Sequence, residues 1–475
     1  MPPTHSHPHP SPMPVEADTL AGLARRLESR EVTSEAVTEA CLANIAANNG
    51  TLNAFITVLA DDARRQARDA DREIAAGRYR GPLHGVPISL KDLLDLRGVP
   101  TTAASRVRAG HVALADAPSV ARLREAGAVF IGKCNLHEFA FGTTNEDSAF
   151  GPARHTLDTS RSPGGSSGGS AVSVAAGMAY ASIGTDTGGS IRIPAAACGL
   201  VGLKPSYGEI PTAGVVPLSQ TMDHVGPLCR SVEDAEIVYD VLRGATRRLP
   251  GTVSPGTVSP GTVFPRTAAV RLGVPRDYFL SRLDPQVAAS FERACDRLRT
   301  AGVTIEDVTI PHANDITPIY LHIVLSEAAA YHARTLDRRP DDYTSPVRLR
   351  LEMGRYVLAE DYVRALRGRD VLRHEVDRAL EGRDALLLPS VAVPATPLGA
   401  STVRVGSGEE PVRNITLRLT QLFNLTGHPA LSMPCGSTTD GLPIGAQLVG
   451  HTAATSALLR LARSLEPHIS GHATT

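Results

Sequence analysis

The sequence predicts an α/β fold built around a mixed β-sheet, and three observations predict it. Short, nearly continuous apolar runs recur from residue 83 onward. Helical patterns separate several of them. At 475 residues and 42% hydrophobic content, the chain is large enough for one extended core or for two domains sharing a sheet. Such runs suit strands buried on both faces, and their alternation with helices points to a layered α/β architecture.

Taken in order, residues 1–14 are Pro-rich, with His5, His7 and His9 alternating, and read as a disordered, solvated tail rather than a metal-binding one. A first helix is expected from an Asp18 cap to about Ser29. A second starts at a Thr33 or Ser34 cap, carries Val37, Cys41 and Ile45 at four-residue spacing, and stops near Asn49-Gly50. Residues 61–76 are charged on most faces and read as a solvated helix. Strands are expected at 86–90 (VPISL), 128–131 (AVFI), 180–184 (YASIG), 270–274 (VRLGV), 385–389 (ALLLP), 430–434 (ALSMP) and 443–450 (PIGAQLVG), and helices at 119–126 and 453–465. Residues 250–266 carry three PGTV-type repeats, too few and too short for a solenoid, and read as an expanded surface loop inserted in a domain spanning 15–470.

Charge and composition exclude several function classes. With 48 basic and 49 acidic residues the formal net charge is -1, which provides no electrostatic footprint for nucleic acid or an anionic membrane. No apolar run reaches the roughly 20 residues needed to span a bilayer. The N-terminal segment lacks the apolar stretch of a secretion signal. Cys41, Cys134, Cys198, Cys229, Cys295 and Cys435 are scattered without CxxC spacing, so free thiols in a reducing cytoplasm are expected rather than a metal cluster or a disulfide framework.

The densest chemical signal is RSPGGSSGGSAVSVAAG (161–177) followed by GTDTGGSIRIPAAACG (184–199). Each run sets a serine after a Gly pair, Ser166 after Gly164-Gly165 and Ser190 after Gly188-Gly189. Successive N–H groups in such loops can form an anion-binding nest, which in acyl transfer is an oxyanion hole. A serine hydroxyl needs a base. Lys91 follows the apolar run 86–90, and burial there would push it toward the neutral form that a base requires. Local sequence alone equally allows a snorkelling or salt-bridged lysine beside Asp92 and Asp95, and that is the simpler reading of the segment by itself.

Two decoys compete. Residues 164–168 match GxSxG, which would make Ser166 the nucleophile with His224, His428 or His451 as partner, but would leave the 184–199 run without a role. GAVFIGKC (127–134) approaches a P-loop, but has Cys134 where a Ser or Thr should bind magnesium.

The ordered set HGVPISLKDLLD, PGGSSGGS, GTDTGGSIRIPA and CGLVGLKPSYG resembles the amidase signature family, and KCNLHEFAFG, LTGHPALSMPCG and LPIGAQLVG extend the resemblance over nearly the whole chain outside the tail and the repeat. The resemblance implies a single large domain whose mixed sheet is covered by helices on both faces. It implies that Ser190 attacks the carbonyl carbon, that Ser166 sits at a cis peptide bond and shuttles a proton between Lys91 and Ser190, and that the N–H groups of Thr187, Gly188, Gly189 and Ser190 form the oxyanion hole. Lys91 would then help protonate the leaving amine, and water would release the acyl-enzyme. By the same resemblance Asp186 and Arg192 brace the nucleophile loop, Ser167 and Ser170 hydrogen-bond behind it, Phe141, Gly142 and Thr143 border the substrate, and no metal or organic cofactor is needed. Two departures bear on substrate: Glu209 stands where the family often has arginine, and Phe141 stands where a smaller residue is common, hinting at an apolar or aromatic pocket.

The expected activity is hydrolysis of small-molecule amides, with anilides and carbamates (urethanes) presenting the same carbonyl–nitrogen bond, by a monomer or homodimer. The competing reading is the glutaminase subunit of a tRNA-dependent amidotransferase, which works in a complex and passes ammonia to its partner. Segments 319–333 and 413–423 are expected to supply pocket walls.

Overall fold

The computed structural model describes residues 18–245 and 270–471. The tail at 1–14 and the repeat at 250–266 lie outside the described residues. In chain order the strands are Phe55–Val58 (β1), Pro87–Lys91 (β2), Val129–Cys134 (β3), Ala181–Asp186 (β4), Val201–Lys204 (β5), His224–Cys229 (β6) and Arg271–Pro275 (β7). Thr304–Val308 (β8), Ala385–Pro389 (β9), Thr402–Val405 (β10), Gly408–Pro411 (β11), Ala430–Ser437 (β12) and Pro443–Val449 (β13) follow.

Eleven of these form one sheet in the order β1-β3-β2-β4-β6-β5-β12-β13-β9-β7-β8, while β10 and β11 make a separate hairpin. Strands β3, β2 and β4 run parallel, as do β9, β7 and β8; the strands between them are antiparallel. The sheet is therefore mixed, as the sequence implies.

Side-chain alternation along the strands places helices on both faces. In β9, Ala385 and Leu387 join a core with Leu20, Val37, Phe291 and Leu458, while Leu386 and Leu388 join a second core with Ile316, Val347, Leu372 and Ile415. Because both faces are covered, the inner strands are apolar almost without interruption, and all five residues of β2 are buried.

The expected helices differ mainly at their ends, whereas the helices Val232–Leu242, Pro285–Thr300 and Ala359–Leu380 have no counterpart in the sequence reading. The first, Leu20–Glu28, is capped by Thr19 rather than Asp18: the Thr19 hydroxyl accepts from Gly22 N at 3.0 Å, and Asp18 instead pairs with Arg26 at 3.0 Å. The second, Ser34–Leu52, is capped by Thr33 and continues through Asn49-Gly50 to Asn53, whose left-handed φ of 50° ends it. All six cysteines are buried and unpaired. Among the described residues no helix is long and apolar enough to cross a membrane.

Candidate active site

Three segments converge at the carboxyl ends of the parallel strands β2 and β4, the edge at which open α/β sheets place their ligand crevices. Lys91 is the last residue of β2. Ser166 lies in the loop before the helix Gly168–Ala175, and Ser190 lies between β4 and the helix Arg192–Ala197. The Gly165–Ser166 peptide is cis. Two glycines are dictated by geometry. A Cβ on Gly165 would stand 2.8 Å from Asn145 N and 2.9 Å from Thr143 C, and Gly189 has a φ of +142°.

Lys91 is fully buried and meets no carboxylate at contact distance. Its Nζ donates to Ser166 Oγ at 2.7 Å and to Thr185 Oγ1 at 2.8 Å. Burial dominates and pushes its pKa down to about 7, against the upward pull of Asp186 and Asp223. Asp92, the salt-bridge partner that local sequence offers, turns away to Lys133 at 2.8 Å and to Thr102. The chain contains three lysines, Lys91, Lys133 and Lys204, and all are fully buried.

The loop around Ser190 is held by a buried ionic network. Arg192 Nε and Nη2 donate to the two Asp186 carboxylate oxygens at 3.1 and 3.0 Å. The same guanidinium reaches Asn424 Oδ1 at 2.7 Å and Gln447 Oε1 at 3.0 Å. Asp186 also accepts from Ile191 N at 3.1 Å, directly after Ser190. Burial alone would raise the Asp186 carboxyl, but the Arg192 charge and hydrogen bonds hold it well below the usual carboxylate range. Among the described residues, the N–H groups of Thr187, Gly188, Gly189 and Ser190 donate to no protein acceptor. Thr420 Oγ1 donates to Gly188 O at 2.6 Å, and Thr187 Oγ1 donates to Asp223 Oδ1 at 2.6 Å. Burial raises Asp223 to about 6, against the hydrogen bonds from Thr187, Leu218 and Ser219.

Other sequence-selected residues are placed as follows. Ser167 N donates to Ser190 O at 3.2 Å and its hydroxyl to Thr185 O at 3.2 Å, tying the two serine loops together. The Ser170 hydroxyl is buried without a hydrogen-bond partner among the described residues, so it does not make the bond expected of it behind the Ser190 loop. Phe141 is buried in the second core, with Arg350 over its ring at 5.9 Å and Arg350 Nη1 donating to its carbonyl at 2.6 Å. Gly142 packs on the His137 ring, and Thr143 packs on Gly165. Glu209 accepts from Tyr239 OH at 2.8 Å.

The decoys resolve on geometry. Ser166 is partnered by Lys91, whereas His224 bonds to Met222 O, His428 to Thr426 and Asp377, and His451 to Arg383 O. Lys133 of the near-P-loop is consumed by Asp92.

Sequence reading missed Thr185, Asp223, Asn424 and Gln447, whereas Tyr320, whose hydroxyl reaches 2.5 Å from where a Cβ on Gly188 would stand, falls in the 319–333 segment expected to line the pocket. Thr185 sits inside the GTDTGGS motif and was within reach of a strand-pairing argument, because β2 and β4 are in parallel register there. The others come from distant segments. Among the described residues no group of His, Cys, Asp or Glu is arranged to hold a metal ion.

The sequence profile of the family described as Amidase matches residues 36–459. An amidase from Pseudomonas putida is 40% identical over 89% of this chain and 90% of its own length. A glutamyl-tRNA(Gln) amidotransferase subunit from Anaeromyxobacter dehalogenans (strain 2CP-C) is 39% identical over 92% of this chain and 93% of its own. A crystal structure of an amidase superposes with a TM-score of 0.87 at 38% identity, covering 95% of this chain and 100% of that one.

Proposed function

The chain belongs to the amidase family, and from that premise we propose that it hydrolyses the carbonyl C–N bond of linear amides through an acyl-enzyme on Ser190. The observation that carries the reading is the buried contact of Lys91 Nζ with Ser166 Oγ at 2.7 Å, in a setting that brings the lysine down to about 7. Near neutral pH a large fraction of Lys91 is then unprotonated and able to accept a proton.

In the proposed sequence, Ser190 Oγ attacks the carbonyl carbon. Its proton passes to Ser166 Oγ as the Ser166 proton passes to Lys91 Nζ. The carbonyl oxygen gains negative charge beside the free N–H groups of Thr187, Gly188, Gly189 and Ser190. Lys91 returns the proton through Ser166 to the departing nitrogen as the C–N bond breaks. Water then repeats the cycle on the ester, using the same base, and releases the acid. Asp186 and Arg192 keep the Ser190 loop in place, and Ser167 couples it to the Ser166 loop.

Anilides and aryl carbamates present the same bond and belong in the first substrate panel beside primary amides. Ser190→Ala is expected to abolish turnover of all of them and to abolish labelling by a serine-directed fluorophosphonate; persistent hydrolysis in that variant would exclude the mechanism. The 39% identity to an amidotransferase subunit supports a second reading, glutamine hydrolysis coupled to a partner. Ammonia release from glutamine that rises when a co-purified partner is added supports it, and a partner-independent enzyme active on anilides excludes it.

A further inference from the structure

The helix Val412–Leu417 follows directly on the β10–β11 hairpin and brings a cation to the edge of the Ser190 loop. Arg413 and Leu417 are four residues apart and share one face of this helix. Leu417 Cδ2 reaches to 3.0 Å, and the Tyr320 hydroxyl to 2.5 Å, from where a Cβ on Gly188 would stand. Arg413 therefore projects on the side of its helix that meets the oxyanion loop.

Arg413 Nε is shut off from solvent without a partner, and no acceptor or carboxylate among the described residues reaches its guanidinium. Arg350 stands near it, and its Nη1 is occupied by Phe141 O. Asp147, the carboxylate on that side, is taken by His137 at 3.0 Å. Burial first, and then the Arg413 charge, pushes Arg350 down to about 10, and Arg413 itself lies below its ordinary value through burial. Tyr320, raised by burial to about 12, feels Arg413 as its main opposing charge.

The Arg413 side chain is half-buried: its Nε is withdrawn from water while no protein carboxylate neutralises the charge, which leaves the guanidinium open to an incoming anion. Tyr320 donates an O–H in the same place, and an arginine with a neighbouring hydroxyl suits the planar, two-oxygen face of a carboxylate. We propose that Arg413 is a specificity-determining residue that receives a carboxylate carried by the substrate, so that the preferred substrates are amides bearing an anionic group a few atoms from the scissile bond. This inference rests on the amide-hydrolase reading and deepens it. It replaces the apolar pocket suggested by Phe141 with a cationic one, since the ring of Phe141 is covered by Arg350.

The test compares succinamate and glutaramate with butyramide and valeramide, following ammonia release by the whole protein. The expected result is a kcat/KM for glutaramate about 10- to 100-fold above that for valeramide, the range associated with one charge-assisted hydrogen bond. In Arg413→Met that ratio collapses toward one, chiefly through KM, and Arg413→Lys restores part of it. A readout free of any folding defect comes from the unmutated protein: glutarate, with a second carboxylate for Arg413, inhibits valeramide hydrolysis at concentrations about tenfold below those at which valerate does. Equal kcat/KM for the charged and neutral amides, equal inhibition by the two acids, or a ratio unchanged in Arg413→Met overturns the inference and leaves the amide-hydrolase reading standing. No ammonia from any of the four amides, or ammonia undiminished in Ser190→Ala, overturns that reading instead.

Discussion

Two buried lysines on adjacent strands, Lys91 on β2 and Lys133 on β3, have opposite surroundings. They sit one register step apart, with Leu90 opposite Lys133. Lys133 has Asp92 at 2.8 Å and hydrogen bonds to Pro100 O and Thr101 Oγ1. Lys91 has only two hydroxyls within reach. An ammonium paired with a carboxylate is held in a structural contact. One given only hydroxyls is pushed toward neutrality by burial and becomes available for proton transfer. The difference lies entirely in which way Asp92, next in sequence to Lys91, is turned.

Substituting the two lysines should separate these roles most sharply. Lys91→Met is expected to lower kcat by about 10²–10⁴-fold, the usual range for a lost acid–base group, while thermal unfolding moves little or upward. Lys133→Met leaves the Asp92 carboxylate buried and unpaired, and a destabilisation of about 3–5 kcal/mol is expected in urea unfolding. Equal catalytic and stability losses in the two variants would erase the distinction.

The pH profile tests the same contrast more finely. A protonated Lys91 cannot accept the proton of Ser166, so kcat/KM should rise with pH through a midpoint near 7 and then level. A lysine-selective ¹⁵N spectrum is expected to show the Lys91 side-chain signal, assigned by its loss in Lys91→Met, titrating there. A midpoint near the ordinary lysine value would contradict the role assigned to Lys91. The smallest effect concerns Asp223, whose charge pulls the Lys91 pKa upward. Asp223→Asn removes that pull, so the acid limb should move to lower pH by about half a unit or less; an upward shift would show that the Thr187 hydrogen bond matters more than the charge.

Much of the fold is legible in the sequence, because strands covered on both faces must be apolar. ALLLP and PIGAQLVG are read nearly to the residue as β9 and β13. The missed strands show where that logic stops. β1 and β8 are the two edges of the sheet and are partly exposed, so TIEDV carries no continuous apolar signal. β6 places His224, Gly226 and Pro227 within six residues, a composition that argues against a strand. β5 is four residues long and includes Gly202.

At the candidate site, the serines and Lys91 come from motifs whose order carries the information. The residues that tune and border them come from elsewhere. Asp223 is tied to the Ser190 loop through Thr187, and nothing in its local sequence announces it; Tyr320 and Arg413 fall in the two segments expected to supply pocket walls, but the sequence does not single out either residue within them. Phe141 shows the opposite failure: its sequence suggests an apolar pocket wall, yet the side chain is buried in the second core and the neighbour over its ring, Arg350, lies more than two hundred residues away.

The burial of all three lysines also governs how the protein meets reagents. Every other side-chain cation fixed at neutral pH is an arginine, so amine-directed esters and dialdehyde crosslinkers find no surface lysine to consume them. Of the three, Lys133 is locked in its ion pair and Lys204 Nζ is enclosed by the carbonyls of Pro205 and His428 and the His224 ring, while Lys91 spends part of its time as a free amine at the serine loops. An acylating reagent small enough to follow the substrate should therefore mark one lysine in the folded protein, and the peptide containing residue 91, found by mass spectrometry, would report entry to the catalytic chamber.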